Sequence, residues 1–314
     1  MRPRALIRGF GSYVPARVVT NAEIGGRVGC EAEWIQSVSG IVERRFAEPD
    51  ESVAAMGAAA ARNCLDRCGA TASDIGLILF ATGTSESRFP SPGSEAARLL
   101  GLTGIPVIDL SMASAGSLFA LALAVDLAAT YQEVLIVAAE KMSSVVFEKA
   151  LDRNTAILFG DGAGAALISM RQGNALLAGS VLHSDGCFAG DLRLGRAGPL
   201  EMNGPVVILQ SSRKIPTAIR EVLEKTKLSA CTVDWFLMHQ ANRNLIVRVA
   251  QALGVTAERF YCNIQHYGNT SSASMLIAAA EWSTSERFQA GRSVVFAGFG
   301  AGFHWGAVVA TGVA

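Results

Sequence analysis

The sequence has no long apolar run, no excess of one charge sign and no paired cysteine motif. Its richest Leu/Ala stretch, Ser117–Ala129, falls short of the ~20 residues a helix needs to cross a bilayer, and it carries Asp126. It is therefore expected to be a helix buried at the centre of a soluble fold. The opening segment Met1–Arg8 is basic, but its apolar run is too short and too soon interrupted for a signal peptide. Lys plus Arg number 27 and Asp plus Glu 27, so no net field draws the chain to nucleic acid or an anionic membrane. The six cysteines are scattered. Cys64 and Cys68 lie one turn apart, yet no second pair completes a tetrahedral metal site. Reduced thiols in a cytoplasmic protein, with no metal, are the expectation.

What the chain does have is apolar bulk. Half of its 314 residues are hydrophobic and only 17% are charged, which suits one large domain or two closely packed ones with a substantial core. The order of elements repeats. In the first half, a helix at Val53–Cys68 precedes an apolar strand at Asp74–Ala81. A short helix (Ser94–Leu100), a strand (Pro106–Leu110) and a helix starting near Ser114 follow. Strand Glu133–Ala138, an insert Lys141–Asp161 and strand Ala165–Met170 complete this half. The second half runs helix Pro216–Thr226, strand Val233–Met238, helix Asn244–Leu253 and strand Phe260–Ile264. Helix Ser271–Trp282 and strands Ser293–Ala297 and Trp305–Ala310 close it. Nearly continuous apolar strands alternating with helices predict an α/β fold with sheets covered on both faces. Two copies of the unit predict a pseudo-two-fold with helices sandwiched between two sheets, the halves being residues 1–170 and 171–314.

Repeated α/β folds place their sites at strand ends and helix starts where the halves meet. Three residues fit: Ser114, just after a strand and before an apolar helix; His239, ending a strand; and Asn269, in the turn His266–Asn269 at the position equivalent to Ser114. Each has a plainer reading: a helix cap, a hydrogen-bonded core histidine, a left-handed turn residue. Singly those readings win; at equivalent places in two copies, a Ser/His/Asn constellation is favoured. A helix N-terminus stabilises a neighbouring oxyanion, an imidazole can take the serine proton, and the carboxamide can donate to a carbonyl. The cluster Gly160–Ala165 has dinucleotide-like glycine spacing, but a strand follows it; a tight packing turn is expected there. The Gly298–Phe303 stretch joins two strands, so it is no phosphate loop. His183, His266 and His304 have no metal-ligand spacing and read as structural.

Ordered motifs then add a resemblance. Gly11–Pro15 with Thr20–Asn21, Glu33–Ile35, Gly40–Arg45, Phe159–Ala166, His239–Asn242, His266–Ser274 and Gly302–Gly306 span essentially the whole chain. They resemble β-ketoacyl-acyl carrier protein synthase III of the thiolase superfamily. The resemblance implies a thiolase-like, five-layered αβαβα fold and a homodimer. It also implies a Cys-His-Asn triad that takes an acyl group from coenzyme A and condenses it with malonyl-acyl carrier protein. No cofactor is implied beyond acyl-coenzyme A as substrate. His239 and Asn269 match the residues that stabilise the enolate. The backbone N–H groups of Ser114 and Ala301 correspond to the oxyanion donors. Trp34, Arg153, Asn242 and Gly204 fall at the coenzyme A or carrier entrance, and Phe89 matches a residue that reaches across the dimer to the acyl pocket.

The departures from that pattern are specific. Ser114 stands in the cysteine's place, Val38 and Asn244 where arginines touch coenzyme A or the carrier, Pro205 at the same mouth, and Ala301 for a glycine. A left-handed backbone at Ala301 would cost about 1–2 kcal/mol. Serine does not ionise as a cysteine does beside a helix end, so its attack needs proton removal by His239. The acyl-enzyme would be an oxoester, a slower partner for carbon–carbon bond formation and a workable donor to oxygen, nitrogen or a carrier thiol. A Cys→Ser change introduced to trap a complex would leave the mouth residues untouched, so their divergence favours a native serine. A catalytically silent, acyl-binding partner subunit is the alternative from another class; intact His239 and Asn269 argue against it.

Overall fold

The computed structural model describes residues 4–147, 151–195 and 199–314; residues 148–150 of the expected insert lie outside it. The main sheet has nine strands: β1 (Leu6–Tyr13), β2 (Leu77–Ala81), β3 (Val107–Leu110), β4 (Glu133–Lys141), β5 (Asp161–Ser169), β6 (Ala175–Ser184), β7 (Trp235–Met238), β8 (Ser293–Gly300) and β9 (His304–Gly312). Their order is β7-β8-β9-β6-β1-β5-β4-β2-β3. Outward from β1, two antiparallel pairings (β1·β5, β5·β4) precede two parallel ones (β4·β2, β2·β3). Outward from β6, two antiparallel pairings (β6·β9, β9·β8) precede the parallel β8·β7. A single parallel bridge, Phe236↔Phe260, stands where a fifth strand would be.

Two strands that the sequence pattern leaves unmarked, β1 and β6, join the halves. They pair at Leu6↔Leu176 and Ile7↔Ala175, so the two expected sheet layers are hydrogen-bonded into one continuous sheet. The expected strand Phe260–Ile264 is reduced to the one bridge, and the chain turns into a short helix at Ile264–Tyr267.

Alternation along the strands sorts the core into layers. Helix α1 (Val53–Cys68) packs on Ile78, Phe80, Leu135 and Val137. Leu77, Leu79 and Ile136 face the other way, onto the Ala-rich α2 (Gly116–Tyr131). Two further helices, α3 (Gly204–Thr226) and α4 (Arg243–Leu253), cover Phe236, Val295 and Val309. Leu237, Phe296 and Val308 face the central layer, where α5 (Ser274–Ser285) lies with α2. This helix–sheet–helix–sheet–helix stacking is the five-layered, thiolase-like α/β fold.

Three local expectations change. Helix α3 begins 12 residues before Pro216, which sits inside it; the proline reads as a start signal, yet packing of Ile215 and Ile219 carries the helix through. Gly162 and Gly164 are not a turn but lie within β5, because a Cβ at Gly164 would come within 2.5 Å of Leu276 Cβ on α5. Helix α2 is central but not buried all round: Leu123 and Asp126 form an exposed stripe. Among the described residues no helix is long and apolar enough to cross a membrane.

Candidate active site

The chain leaves β3 at Leu110 and enters α2 at Gly116 through Ser114, whose φ of 65° puts a side-chain-bearing residue in the left-handed region. Such a backbone costs of order 1–3 kcal/mol and persists only where its surroundings impose it. Here they do. Ser114 N–H donates to Ser271 Oγ at 3.0 Å, and Ala115 N–H donates to Ala113 O at 2.8 Å. Gly300 presses on the bend from β8: a Cβ there would lie 2.2 Å from Ala113 O and 2.7 Å from Ala115 N.

His239 extends β7 by one residue, its N–H donating to Ala297 O at 2.9 Å. The ring is buried, and burial pushes its pKa down to about 4, against a smaller upward pull from the Ser271 backbone. It is therefore a neutral imidazole near pH 7. Nδ1 lies 2.6 Å from Ser274 Oγ, which also accepts from Gln240 N–H at 3.0 Å.

Asn269 is clamped through its backbone, donating to Leu158 O at 2.8 Å and accepting from Gly160 N–H at 3.1 Å. Its side-chain Oδ1 accepts from Ser271 N–H at 2.9 Å. That bond fixes the amide orientation and leaves the Nδ2 donors free to face the cavity. Behind this turn, buried Glu140 accepts from Ser272 Oγ (2.6 Å), Thr84 Oγ1 (2.6 Å) and Thr82 Oγ1 (3.1 Å), tying it to β4 and to the loop after β2.

Ser114, His239, Asn269 and Ala301 all line one cavity of about 150 Å³, walled by Leu192, Leu200, Val207, Ile208 and Phe299. Ala301 carries no left-handed penalty, because the positive φ in its turn belongs to Gly302 (133°). The expected oxyanion role of the Ser114 N–H meets a competitor, since Ser271 Oγ already accepts that bond.

Of the residues expected at the entrance, Gly204 and Asn242 line the cavity. Asn242 is more committed than expected: Oδ1 caps α4 by accepting from Asn244 N–H (2.8 Å), and Nδ2 donates to Val38 O (2.9 Å). Asn244 Nδ2 likewise donates to Val38 O at 3.2 Å. Trp34 and Arg153 stand outside the cavity wall, with the guanidinium carbon 4.0 Å from the ring centre. Phe89 is 86% exposed and does not line the cavity of its own chain. Sequence reasoning passed over Ser271, Ser274 and Glu140. The signal for the serines was a run of hydroxyls after Asn269 that enters an apolar helix, where unpaired polar groups would be costly.

Comparison with known proteins agrees across the chain. Residues 108–186 match the 3-oxoacyl-[acyl-carrier-protein (ACP)] synthase III profile, and residues 223–311 match that for the C terminal of the same synthase. The β-ketoacyl-[acyl-carrier-protein] synthase III of Roseobacter denitrificans is 36% identical, over 98% of this chain and 99% of that one. The crystal structure of 3-oxoacyl-[acyl-carrier-protein] synthase III from Aquifex aeolicus superposes with a TM-score of 0.93 at 32% identity, covering 98% and 99% of the two chains. The priming β-ketosynthase from the R1128 polyketide biosynthetic pathway superposes at 0.89 and 33% identity, covering 99% and 97%.

Proposed function

The chain belongs to the 3-oxoacyl-[acyl-carrier-protein] synthase III family, and within it we propose that Ser114 takes an acyl group from acyl-coenzyme A as an oxoester. The acyl group then passes to the α-carbon of a carrier-bound malonyl unit, whose carboxylate leaves as CO2 while the ester C–O bond breaks and Ser114 Oγ takes up a proton, or to another acceptor. The observation that carries this reading is the convergence of a hydroxyl, a neutral imidazole and an outward-turned carboxamide on one small apolar cavity.

In the first step Ser114 Oγ attacks the thioester carbonyl as His239 takes its proton; the C–O bond forms, the C–S bond breaks, and the proton passes to the departing thiolate. The dipole of α2 and the Ala301 N–H favour the oxyanion. Asn269 Nδ2 donates to the carbonyl of the second substrate. A cavity of about 150 Å³ suits a short acyl chain. Trp34, Arg153, Gly204 and Asn242 form the entrance for coenzyme A or the carrier. The active species is a homodimer to which Phe89 contributes from across the interface, and each subunit divides into halves at residues 170 and 171.

Intact-protein mass after incubation with a panel of acyl-coenzyme A thioesters tests this. An acyl adduct that disappears in Ser114→Ala is expected. No adduct with any donor, from a folded sample, overturns the reading in favour of a silent acyl-binding subunit. Ser114→Cys should raise condensation with malonyl-carrier protein, since a thiolate is both the better nucleophile and the better leaving group.

A further inference from the structure

One buried side chain backs the histidine. Ser274 opens α5 and is 2% exposed. A hydroxyl has one proton and two acceptor sites. Gln240 N–H occupies one of those sites at 3.0 Å, which leaves the other site and the proton for His239 Nδ1 at 2.6 Å. Ser274 Oγ can therefore donate to a bare Nδ1 or accept from an Nδ1–H. A carboxylate at the same place would only accept and a backbone N–H would only donate; each would fix one tautomer. With Nδ1 engaged by Ser274, and the Ser271 backbone a second, smaller influence on the ring, Nε2 is the nitrogen left to act in the cavity that His239 lines.

The two tautomers do different chemistry at Nε2. With the proton on Nδ1, the Nε2 lone pair is open and can take the Ser114 proton as the oxoester forms. With the proton on Nε2, the ring donates to the carbonyl oxygen of the second substrate, alongside Asn269 Nδ2. A cysteine that is already thiolate needs little of the first form; a serine needs it fully. We propose that Ser274 is a positioning residue that accommodates both tautomers of His239, so that one imidazole serves as base toward Ser114 and as hydrogen-bond donor toward the second substrate. The inference rests on the proposed acylation of Ser114 for its purpose, but not for its measurement.

The first readout is the ¹⁵N spectrum of His239 in the unliganded full-length protein at neutral pH, assigned by comparison with His239→Gln. A mixture of Nδ1–H and Nε2–H forms is expected in the native protein, and a shift to one dominant form in Ser274→Ala. The second readout is the rate of adduct formation with acyl-coenzyme A, which should fall at least about tenfold in Ser274→Ala and recover in Ser274→Thr together with the mixture. Ser274→Cys keeps the volume with a weak hydrogen-bonding group and decides the matter if the alanine variant does not fold. A single tautomer in the native protein, an unchanged mixture in Ser274→Ala or Ser274→Cys, or a threonine variant that restores neither readout would each overturn the proposal. A native protein that shows the mixture but takes no acyl group would overturn the acylation of Ser114 and leave the role of Ser274 standing.

Discussion

The two strand-to-helix junctions that face the cavity occupy equivalent places in the repeated strand order, yet they are built in opposite ways. Between β3 and α2 the chain passes through one left-handed serine, wedged by the bare backbone of Gly300. Between Phe260 and α5 the strand shrinks to one bridge, and a buried hydroxyl-rich turn, Asn269, Ser271 and Ser272, leads into Ser274 at the start of α5. The first junction presents the Ser114 hydroxyl through backbone strain. The second holds partners through hydrogen bonds, and one of them, Ser271 Oγ to Ser114 N–H, reaches across to the first. A duplicated architecture thus yields an asymmetric site because one copy keeps the tight bend and the other exchanges strand for loop.

The sharpest way to break the steric junction is Gly300→Ala. A Cβ 2.2 Å from Ala113 O and 2.7 Å from Ala115 N meets backbone, so the bend itself must shift. The expected cost is about 3 kcal/mol of stability, at the upper end for overpacking. Displacing the serine by about 1 Å should also lower acylation by about 10². Denaturant midpoints and adduct kinetics read the two effects. An alanine variant of native stability and rate would mean that the bend is not imposed from β8.

The hydrogen-bonded junction should break more softly. Asn269→Ala removes the cavity-facing donor and deprives Ser271 N–H of its acceptor at 2.9 Å. A loss of about 1–3 kcal/mol follows from the orphaned buried N–H. A fall of about 10² is expected in the step that forms charge on the second substrate, with acylation by acyl-coenzyme A affected less. Equal losses in both steps would place the amide at the acyl carbonyl instead.

These contrasts explain what the residue pattern disclosed. Ser114 and His239, polar residues that follow apolar strands, are legible because nothing in those strands demands them. The strain at Ser114 is not, since it originates in Gly300, far along the chain. β1 escapes notice because its Gly9 and Gly11 interrupt the apolar pattern; a Cβ at Gly11 would lie 2.2 Å from the Cys64 backbone, so α1 packs directly against it. Phe260 looks like the start of a strand by composition, but only pairing with a neighbour makes a strand, and it has one bridge. Asn242 looks like a free polar group at the mouth and turns out to be a helix cap.

Two buried groups, one from each half, are shifted in opposite directions. His239 is held near a pKa of 4, against an ordinary 6.5, by burial. The unfolded chain binds its proton first, so folding loses about 3 kcal/mol as pH falls from 6.5 to 4. Asp161, on β5, is pushed up to about 6 from 3.8, also by burial, although Ser143 and Ala47 N–H donate to it. There the folded chain holds the proton more tightly, so the contribution is full below 3.8 and about 3 kcal/mol is lost as pH rises through 6. Over the shared window the two offset. In Asp161→Asn the histidine acts unopposed, and the stability difference between variant and native protein should move by about 3 kcal/mol in favour of the variant between pH 4 and 6. Urea melts across that range check this; a constant difference would mean that Asp161 is ionised as an ordinary carboxylate.

The mildest effect belongs to a pair outside both junctions. Arg153 lies 4.0 Å over the Trp34 ring and neither residue lines the cavity, so neither touches the reacting atoms. An exposed cation–π contact is worth about 0.5–1 kcal/mol. If the pair receives the coenzyme end of the donor, it contributes the same to ground and transition states. Arg153→Ala should then raise KM for acyl-coenzyme A about two- to fivefold and leave kcat unchanged. Arg153→Lys should recover only part of the loss, since an ammonium does not stack flat on an aromatic face. Steady-state kinetics separate the cases: a fall in kcat at constant KM would move Arg153 from the doorway to the chemistry, and would make the contrast between the two junctions an incomplete account of how this site is built.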